Sequence, residues 1–266
     1  MKNPSSTTPP LYDSIGAGYR DTRRPDPRLA ALIGRALAGA RTVVNVGAGT
    51  GSYEPADAAV TAVDPSRVML DQHPGATKVR AAAEHLPFAD GRFDAAMAVM
   101  TVHHWPDLEG GLRELRRVSR RQVVFTWDPE HRPELWMISD YLPQIRELEH
   151  ARFTPLSTVA ETLGAHTVLP FPIPHDFTDG FQIAHWRRPE RFLDPVVRRA
   201  SSTFAQLPAD VVEPAIARLR ADLASGAWSR RYGHLLARDS VDYGYRLLIA
   251  GGEPPGREDV ESRPDA

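Results

Sequence analysis

The chain contains no cysteine among its 266 residues, which excludes disulfides, thiolate metal sites and a cysteine nucleophile. Neither charge sign predominates, because 32 basic and 34 acidic residues leave a formal net charge of −2. Nucleic-acid binding would need a clearly basic face, so we expect no nucleic-acid partner. Long apolar runs are also missing, and the start Met1–Pro10 is polar and has no signal-peptide core. We therefore expect a cytoplasmic protein without membrane association.

A short apolar run followed by closely spaced glycines stands out in the first quarter of the chain. The valines of Val43–Val46 are typical of a strand buried on both faces of a parallel sheet. Gly47, Gly49 and Gly51 follow directly. Glycines at such a turn permit positive φ and let a ligand lie against the backbone. Open α/β sheets bind nucleotides where strands of this kind end.

The glycine loop alone leaves its ligand open. Ser52 stands where a dinucleotide-binding fingerprint has its last glycine, and no lysine follows Gly51 as a phosphate-binding loop requires. A nicotinamide-dependent reductase and a glycine-rich turn without a ligand remain as alternatives. Asp64 follows the apolar stretch Val60–Val63. An acid at the tip of the second strand can accept hydrogen bonds from both hydroxyls of a ribose, so it favours a nucleoside ligand.

These features, together with the stretch Ala83–Asp94, resemble the class I S-adenosylmethionine-dependent methyltransferases. The similarity is closest to the methyltransferase type 11 group, which includes the ubiquinone and menaquinone C-methyltransferases. It covers about Tyr12 to Asp128, roughly half of the chain. The resemblance implies S-adenosyl-L-methionine as cofactor. It also implies an α/β fold, a Rossmann-like, doubly wound, mostly parallel seven-stranded sheet.

The same resemblance implies the parts of the cofactor site. The glycine loop would approach the methionine moiety, Asp64 would bind the ribose, and Ser66 and Met69 would flank the adenine. Tyr19 belongs to a segment that is either a lid over the cofactor or a solvated surface helix. The cofactor-binding residues expected from the resemblance are Tyr19, Gly47, Ala48, Gly49, Gly51, Asp64, Pro65, Ser66, Met69, Ala83, Glu84, Met100 and His103.

Methyl transfer needs alignment, exclusion of water and at most one general base, because the sulfonium is already a good leaving group. His104 is the candidate base, since histidine titrates near neutrality and this residue follows the fourth predicted strand. The alternative is a histidine that only flanks the cofactor. No histidine spacing indicates a metal site. The candidate substrate residues are Trp105, Trp127, His175, His185 and Trp186.

Several local patterns predict where elements begin and end. Ser52–Ala59 is too short for a full crossover helix, so we expect one or two helical turns there. Pro133–His150 has the apolar spacing of a helix that Pro143 kinks or breaks. Thr158-Val-Ala-Glu161 matches a capping box, which predicts that a helix begins at this point.

The predicted domain organisation is a cofactor-binding core interrupted by a helical segment before its last strand. That insertion would cover the substrate pocket. The segments are a disordered N-terminus (1–10), an N-terminal lid and helix (11–40), the core (41–176 and 240–252), the helical substrate cap (177–239) and a disordered C-terminus (253–266).

The leading hypothesis is a monomeric or homodimeric enzyme that methylates a small molecule on oxygen, nitrogen or carbon, with secondary metabolism as a plausible setting. Aromatic residues in and after the predicted loops favour an apolar or aromatic acceptor. Two alternatives stand beside it. One is a protein that binds the cofactor without turnover, because a fold does not guarantee a function. The other, weaker one is the nicotinamide-dependent reductase.

Overall fold

The structure is a computed structural model that describes residues 12–13, 23–150, 154–199 and 201–252. Tyr19, most of the expected lid and the two termini predicted to be disordered lie outside the described residues. None of the described helices is long and apolar enough to cross a membrane.

One mostly parallel sheet forms the centre of the molecule. The strands in chain order are β1 Thr42–Val46, β2 Ala59–Val63, β3 Lys78–Val79, β4 Phe93–Val99, β5 Ser119–Trp127, β6 Ala165–Pro170, β7 Ile173–Pro174, β8 Ser240–Val241 and β9 Tyr245–Gly251. Seven of them pair in the order β3-β2-β1-β4-β5-β9-β6. Only β9 runs antiparallel to its neighbours β5 and β6. The predicted doubly wound seven-stranded sheet is therefore confirmed.

Helices cover both faces of this sheet. They are α1 Pro27–Ala36, α2 Arg67–Gln72, α3 Leu108–Val118, α4 Gln144–His150, α5 Leu156–Leu163, α6 Pro195–Arg199, α7 Ala209–Ala224 and α8 Ala227–Tyr232. A π-helical turn spans Met137–Tyr141, and short 3-10 turns occur at Val102–His104, Gln182–His185, Pro189–Leu193, Phe204–Gln206 and Gly233–Ala237.

The alternation of side chains along β1 explains the two packed layers. Val43 belongs to a core with α1 and the helical segment before β8, whereas Val44 belongs to a core with α3 and α5. Both valines are fully buried. Successive side chains of a strand point to opposite faces, so a strand buried on both sides needs apolar residues at consecutive positions.

Three local predictions differ from the structure. The connection between β1 and β2 contains turns but no helix, so no helix dipole acts on the glycine loop. In the stretch Pro133–His150 the predicted break at Pro143 is confirmed, and it separates the π-helical turn from α4; what differs is the start, because the π-helical turn begins only at Met137. Thr158 lies inside α5 rather than at its start. That helix begins directly after Pro155, whose fixed φ is compatible with this position.

The segment between β7 and β8 contains only helical elements among its described residues. Phe177, Phe181 and Trp186 of this segment are buried in the same core as Phe125 and Tyr245 of the sheet. The helical segment thus packs against β5 and β9 of the sheet instead of forming a separate unit.

Candidate active site

A cavity of about 1690 Å³ opens at the carboxyl ends of β1, β2 and β4. Small-molecule sites usually measure about 300–1,000 Å³, so this one has room for more than one ligand. The predicted site residues that line it are Gly47, Ala48, Gly49, Asp64, Pro65, Ser66, Met69, Ala83, Glu84, Met100, His103, His104, Trp105 and Trp127. The structure therefore brings most of the predicted cofactor residues to one place.

The three loop glycines have positive φ, but each meets different surroundings. A Cβ on Gly47 would collide with the side chain of Thr101, so this glycine allows β4 to approach the loop. A Cβ on Gly49 would meet only Met69 Cε at 3.2 Å, on the cavity side. Gly51 does not line the cavity, because its missing side chain makes room for the imidazole of His73, 2.9 Å from the Cβ position.

Asp64 joins the glycine loop to the start of α2. Its Oδ2 accepts the Gly49 N–H at 2.9 Å, and its Oδ1 accepts the Ser66 N–H at 2.8 Å. Burial raises the pKa of Asp64 above its ordinary value, while these two N–H donors act in the lowering direction. A carboxylate has about four lone-pair positions, so two remain to accept further hydrogen bonds from the cavity side.

A polar network beneath the loop was not predicted from the sequence. The amide of Asn45 donates to Glu54 Oε1 at 2.9 Å, and His73 Nε2 lies 3.0 Å from the same oxygen. The Gly75 N–H donates to His73 Nδ1 at 2.9 Å, so Nδ1 is unprotonated and the proton of the neutral ring is on Nε2. These hydrogen bonds join the end of β1, the residues after the glycine loop and the end of α2, and so hold the loop in shape. In the sequence, the only signal for Glu54 is its position three residues after Gly51.

Tyr12 and Asp13 lie across the mouth of the cavity. Asp13 Oδ1 accepts a hydrogen bond of 2.5 Å from Ser66 Oγ. The Tyr12 hydroxyl lies 3.3 Å from His104 Nε2, and the two rings meet edge to face at 5.3 Å. This pair thus contacts the loop ends of both β2 and β4, where the sequence predicts adenine and methyl binding respectively.

A smaller cavity of about 130 Å³ lies beside the large one. Tyr12, Arg23, Met100, His103 and Trp127 line both, so the two cavities share this part of their walls. Met100 has φ of +54° and the indole of Trp127 packs edge-on against His103 at 4.3 Å. This small cavity, called the side pocket below, is closed by the helical segment through Phe181–Ile183 and Ser201–Thr203.

Three predicted substrate residues lie outside both cavities. His175 is half-buried, and its Nδ1 lies 3.2 Å from the carbonyl oxygen of Asp239, where β7 pairs with β8. Trp186 is fully buried, and its indole N–H donates to the carbonyl of Pro174 at 3.3 Å. His185 is buried, and this burial lowers its pKa to about 3, with nearby Arg188 and Arg191 acting in the same direction.

Trp105, which was also predicted to contact the substrate, lines the large cavity but not the side pocket. A Cβ on Gly111 would collide with the Trp105 ring and would come within 3.2 Å of Ala83. Trp105 therefore lies with Ala83 against α3, on the side predicted for the adenine rather than for the substrate.

A buried ion pair ties the N-terminal part of the chain to the helical segment. The guanidinium of Arg23 bonds to the carboxylate of Asp179, which is buried. The Tyr53 hydroxyl donates to Asp179 Oδ2 at 2.8 Å and accepts the Asp26 N–H at 3.2 Å. The guanidinium also lies over the Phe181 ring at 5.3 Å. Sequence reasoning missed this network because its partners are far apart in the chain.

Comparison with known proteins agrees with this geometry. The family model of a type 11 methyltransferase domain matches residues 44–126. A solved methyltransferase attributed to an antibiotic biosynthesis pathway of Anabaena variabilis is 34% identical, with 86% of this chain and 98% of that chain covered and a TM-score of 0.80. The chain belongs to the class I S-adenosylmethionine-dependent methyltransferases, in the type 11 group. Its cofactor is accordingly S-adenosyl-L-methionine.

Two further relatives of this methyltransferase match only in part. One is 2-methyl-6-phytyl-1,4-hydroquinone methyltransferase 2 of Oryza sativa subsp. japonica, 33% identical over 48% of this chain and 40% of the relative. The other is malonyl-[acyl-carrier protein] O-methyltransferase of Pseudescherichia vulneris, 34% identical over 47% of this chain and 53% of the relative. The chain thus spans about half the length of these two proteins or less.

The residues present fit the cofactor. The loop backbone is open to the cavity at Gly49, and the Asp64 carboxylate has unused acceptor positions beside it. Ser66, Met69 and Ala83 supply a wall of mixed polarity further along. No group of three or more histidines, aspartates or glutamates is placed to hold a metal ion within the described part of the chain.

Proposed function

We propose that this methyltransferase acts on a small molecule whose reacting group enters through the side pocket. The observation that carries the proposal is that the two cavities adjoin at Met100, His103 and Trp127, which line both. A molecule held in the side pocket would present one end to the large cavity, where the methyl donor binds. The helical segment 177–239 would then act as the substrate cap.

The cofactor would use the residues already gathered in the large cavity. Gly47, Ala48 and Gly49 would hold its methionine part, and Asp64 its ribose hydroxyls. The adenine and the remaining surface would be contacted by Pro65, Ser66, Met69, Ala83, Glu84, Met100 and His103. Gly51 would contribute only the shape of the loop, because it faces His73.

The protein's part in the reaction is alignment, exclusion of water and one proton transfer. Bound S-adenosyl-L-methionine supplies an electrophilic methyl carbon on a positively charged sulfur. His104 lines the large cavity, and its Nε2 faces the Tyr12 hydroxyl at 3.3 Å. We assign to His104 the uptake of the acceptor's proton, with Tyr12 orienting the imidazole.

The relatives support a biosynthetic setting. The Anabaena protein is attributed to an antibiotic pathway, and the other two are named for a hydroquinone and for a malonyl-[acyl-carrier protein]. Secondary metabolism is therefore the proposed setting. A cytoplasmic monomer or homodimer without a nucleic-acid partner is part of the same proposal, supported by the near-neutral charge and the cysteine-free composition.

The test is a turnover assay with methyl-labelled cofactor and a fractionated metabolite extract. We expect label to appear in a low-molecular-mass product together with S-adenosylhomocysteine. Label only in protein or nucleic acid would contradict the small-molecule acceptor. Tight cofactor binding with no turnover in any fraction would support the non-catalytic alternative.

A further inference from the structure

The side pocket contains one carboxylic acid that the protein itself leaves without a hydrogen-bond donor. Three acids line it, and two of them are satisfied. Asp128 Oδ1 accepts the Glu130 N–H at 3.0 Å, and Glu134 holds the guanidinium of Arg146 at 3.0 and 2.5 Å. Glu149, on α4, receives no hydrogen bond and forms no ion pair with any residue that the structure describes.

The pKa of Glu149 is consistent with an acid that has no hydrogen-bond donor. Loss of hydration raises its pKa to about 7, Glu134 adds to this rise, and Arg146 opposes it. Glu149 in turn contributes to the raised pKa of Tyr245, whose main cause is burial. A half-buried carboxyl without a hydrogen-bond donor is less favourable when ionised than one in water, so a ligand that donates a hydrogen bond to Glu149 would stabilise the ionised form.

The walls of the side pocket define the rest of the ligand. Trp127, Phe181, Tyr243 and Tyr245 supply aromatic surface around it. Its volume of about 130 Å³ is close to the ~150 Å³ of cavities that hold one benzene ring. The pocket therefore has the size and the surface for a single aromatic ring.

We propose that Glu149 determines acceptor specificity by accepting a hydrogen bond from a hydroxyl or amino group on a one-ring aromatic acceptor. This inference rests on the proposed function, since it takes the side pocket to be the acceptor site. Glu149 lines only the side pocket, whereas His104 lines only the large cavity. The group bound by Glu149 is accordingly remote from the atom that receives the methyl group.

The test measures the affinity of phenol, aniline and toluene for the protein saturated with S-adenosylhomocysteine, by ligand-observed NMR titration. Toluene has a similar size but no donor. We expect wild-type protein to bind phenol or aniline at least about tenfold more tightly than toluene, as a hydrogen bond to a charged group predicts. The ratio of the phenol and aniline affinities shows whether Glu149 prefers a hydroxyl or an amino group.

Two leucine substitutions on the same helix separate the specific effect from a structural one. Glu149→Leu should bring the affinities for phenol, aniline and toluene within about threefold of one another. Glu147→Leu is the matched control, because Glu147 is exposed on α4 and lines neither cavity. It should keep the wild-type preference.

A pH series supplies a readout that a purely structural role would not move. The ionised carboxylate is the better acceptor, so binding of phenol favours it and the affinity should rise as pH increases through about 7. Phenol itself stays neutral over this range. The rise should be absent in Glu149→Leu. The other titratable groups facing this region are Tyr12, Arg23, His103, Asp128, His131, Arg132, Glu134, Arg146, Tyr243 and Tyr245.

The outcomes are distinct. Equal affinity for phenol and toluene in the wild type, no binding of any ring, or a preference that survives Glu149→Leu would each overturn the role of Glu149. These results would leave the proposed function standing, provided that methyl transfer to another small acceptor is observed. Failure to bind S-adenosylhomocysteine in the same samples would instead contradict the proposed function itself.

Discussion

The carboxyl group of Asp64 holds the backbone of Gly49 and Ser66 while it is largely removed from water. Ribose hydroxyls would donate to its remaining lone pairs. Asp64→Ala should therefore weaken S-adenosyl-L-methionine binding by roughly one to two decades, as the loss of ~1.5–3 kcal/mol from hydrogen bonds to a charged group predicts. Isothermal titration measures this directly.

The matched control for that substitution is Asp71→Ala, which removes an exposed acid from the neighbouring helix α2. It should leave cofactor affinity unchanged. An Asp64→Ala protein that binds the cofactor within twofold of the wild type would show that the acid is not at the ribose.

The raised pKa of Asp64 gives a second prediction at this scale. Hydroxyl donors favour the ionised carboxylate, so cofactor binding should release a proton and tighten as pH rises through the pKa of Asp64. Because burial raises that pKa above the ordinary 3.8, the rise in affinity should extend to higher pH than it would for an ordinary aspartate. Titrations from acidic to neutral pH should show this slope in the wild type and lose it in Asp64→Asn. An identical slope in both proteins would assign the titration to another group.

His104 should matter for turnover more than for binding. His104→Ala should lower kcat by about two to four decades at neutral pH if it takes up the acceptor's proton. Tyr12→Phe is the control, because it removes the hydroxyl at 3.3 Å but keeps the imidazole. It should cost far less. A small loss in His104→Ala with an unchanged pH profile would leave positioning as its role.

The glycine loop shows what sequence can predict for single residues. The spacing of Gly47, Gly49 and Gly51 predicts a turn with positive φ and a ligand, and all three adopt positive φ. It does not separate their roles. Gly47 accommodates Thr101 and Gly51 accommodates His73, and both neighbours come from later parts of the chain. A local pattern carries no information about contacts of this kind.

At the scale of elements, the Arg23–Asp179 pair and Tyr53 join three parts of the chain. Arg23 precedes α1, Tyr53 follows the glycine loop, and Asp179 begins the helical segment. These links place Arg23 in the lining of both cavities. The glycine loop and the helical segment are therefore joined through the same polar network.

Breaking this anchor should destabilise the whole protein. Asp179→Ala removes a buried carboxylate that bonds to both Arg23 and Tyr53, and breaking a buried ion pair typically costs about 3–5 kcal/mol in unfolding free energy. Asp176→Ala is the matched control three residues earlier, where an exposed carboxylate pairs with Arg28 at 2.7 Å. An exposed pair contributes ~0–1 kcal/mol. Urea unfolding compares the two, and equal losses would contradict a special role for the buried pair.

Elements with a strong apolar pattern could be predicted, and those set by long-range packing could not. The valines of β1 and the apolar run of β4 indicate buried strands on their own. By contrast, His185 and Trp186 follow loop-like sequence that suggests a pocket. Packing against Phe192 and Tyr243 draws them into the core instead. Tertiary contacts decided their place, not the local sequence.

At the scale of the whole molecule, the sheet order explains why the two cavities lie side by side. Because β1 lies between β2 and β4, the loops that follow these three parallel strands meet at the carboxyl ends of the strands. The antiparallel strand β9 returns beside β5 and brings Tyr245 opposite Trp127. The sequence order of core, helical segment and last strand thus places the proposed cap next to the cofactor cavity.

A ligand that binds only the folded state must stabilise it as a whole. At one hundred times its Kd, S-adenosyl-L-methionine or S-adenosylhomocysteine should add ~2.7 kcal/mol to the unfolding free energy. For a chain of this size each kcal/mol raises Tm by roughly 2–4 °C, so a shift of about 5–10 °C is expected. NADH at the same concentration is the control, because Ser52 replaces the last glycine of the dinucleotide fingerprint. An unchanged Tm with the two methionine-derived ligands, or an equal shift with NADH, would contradict S-adenosyl-L-methionine as the cofactor.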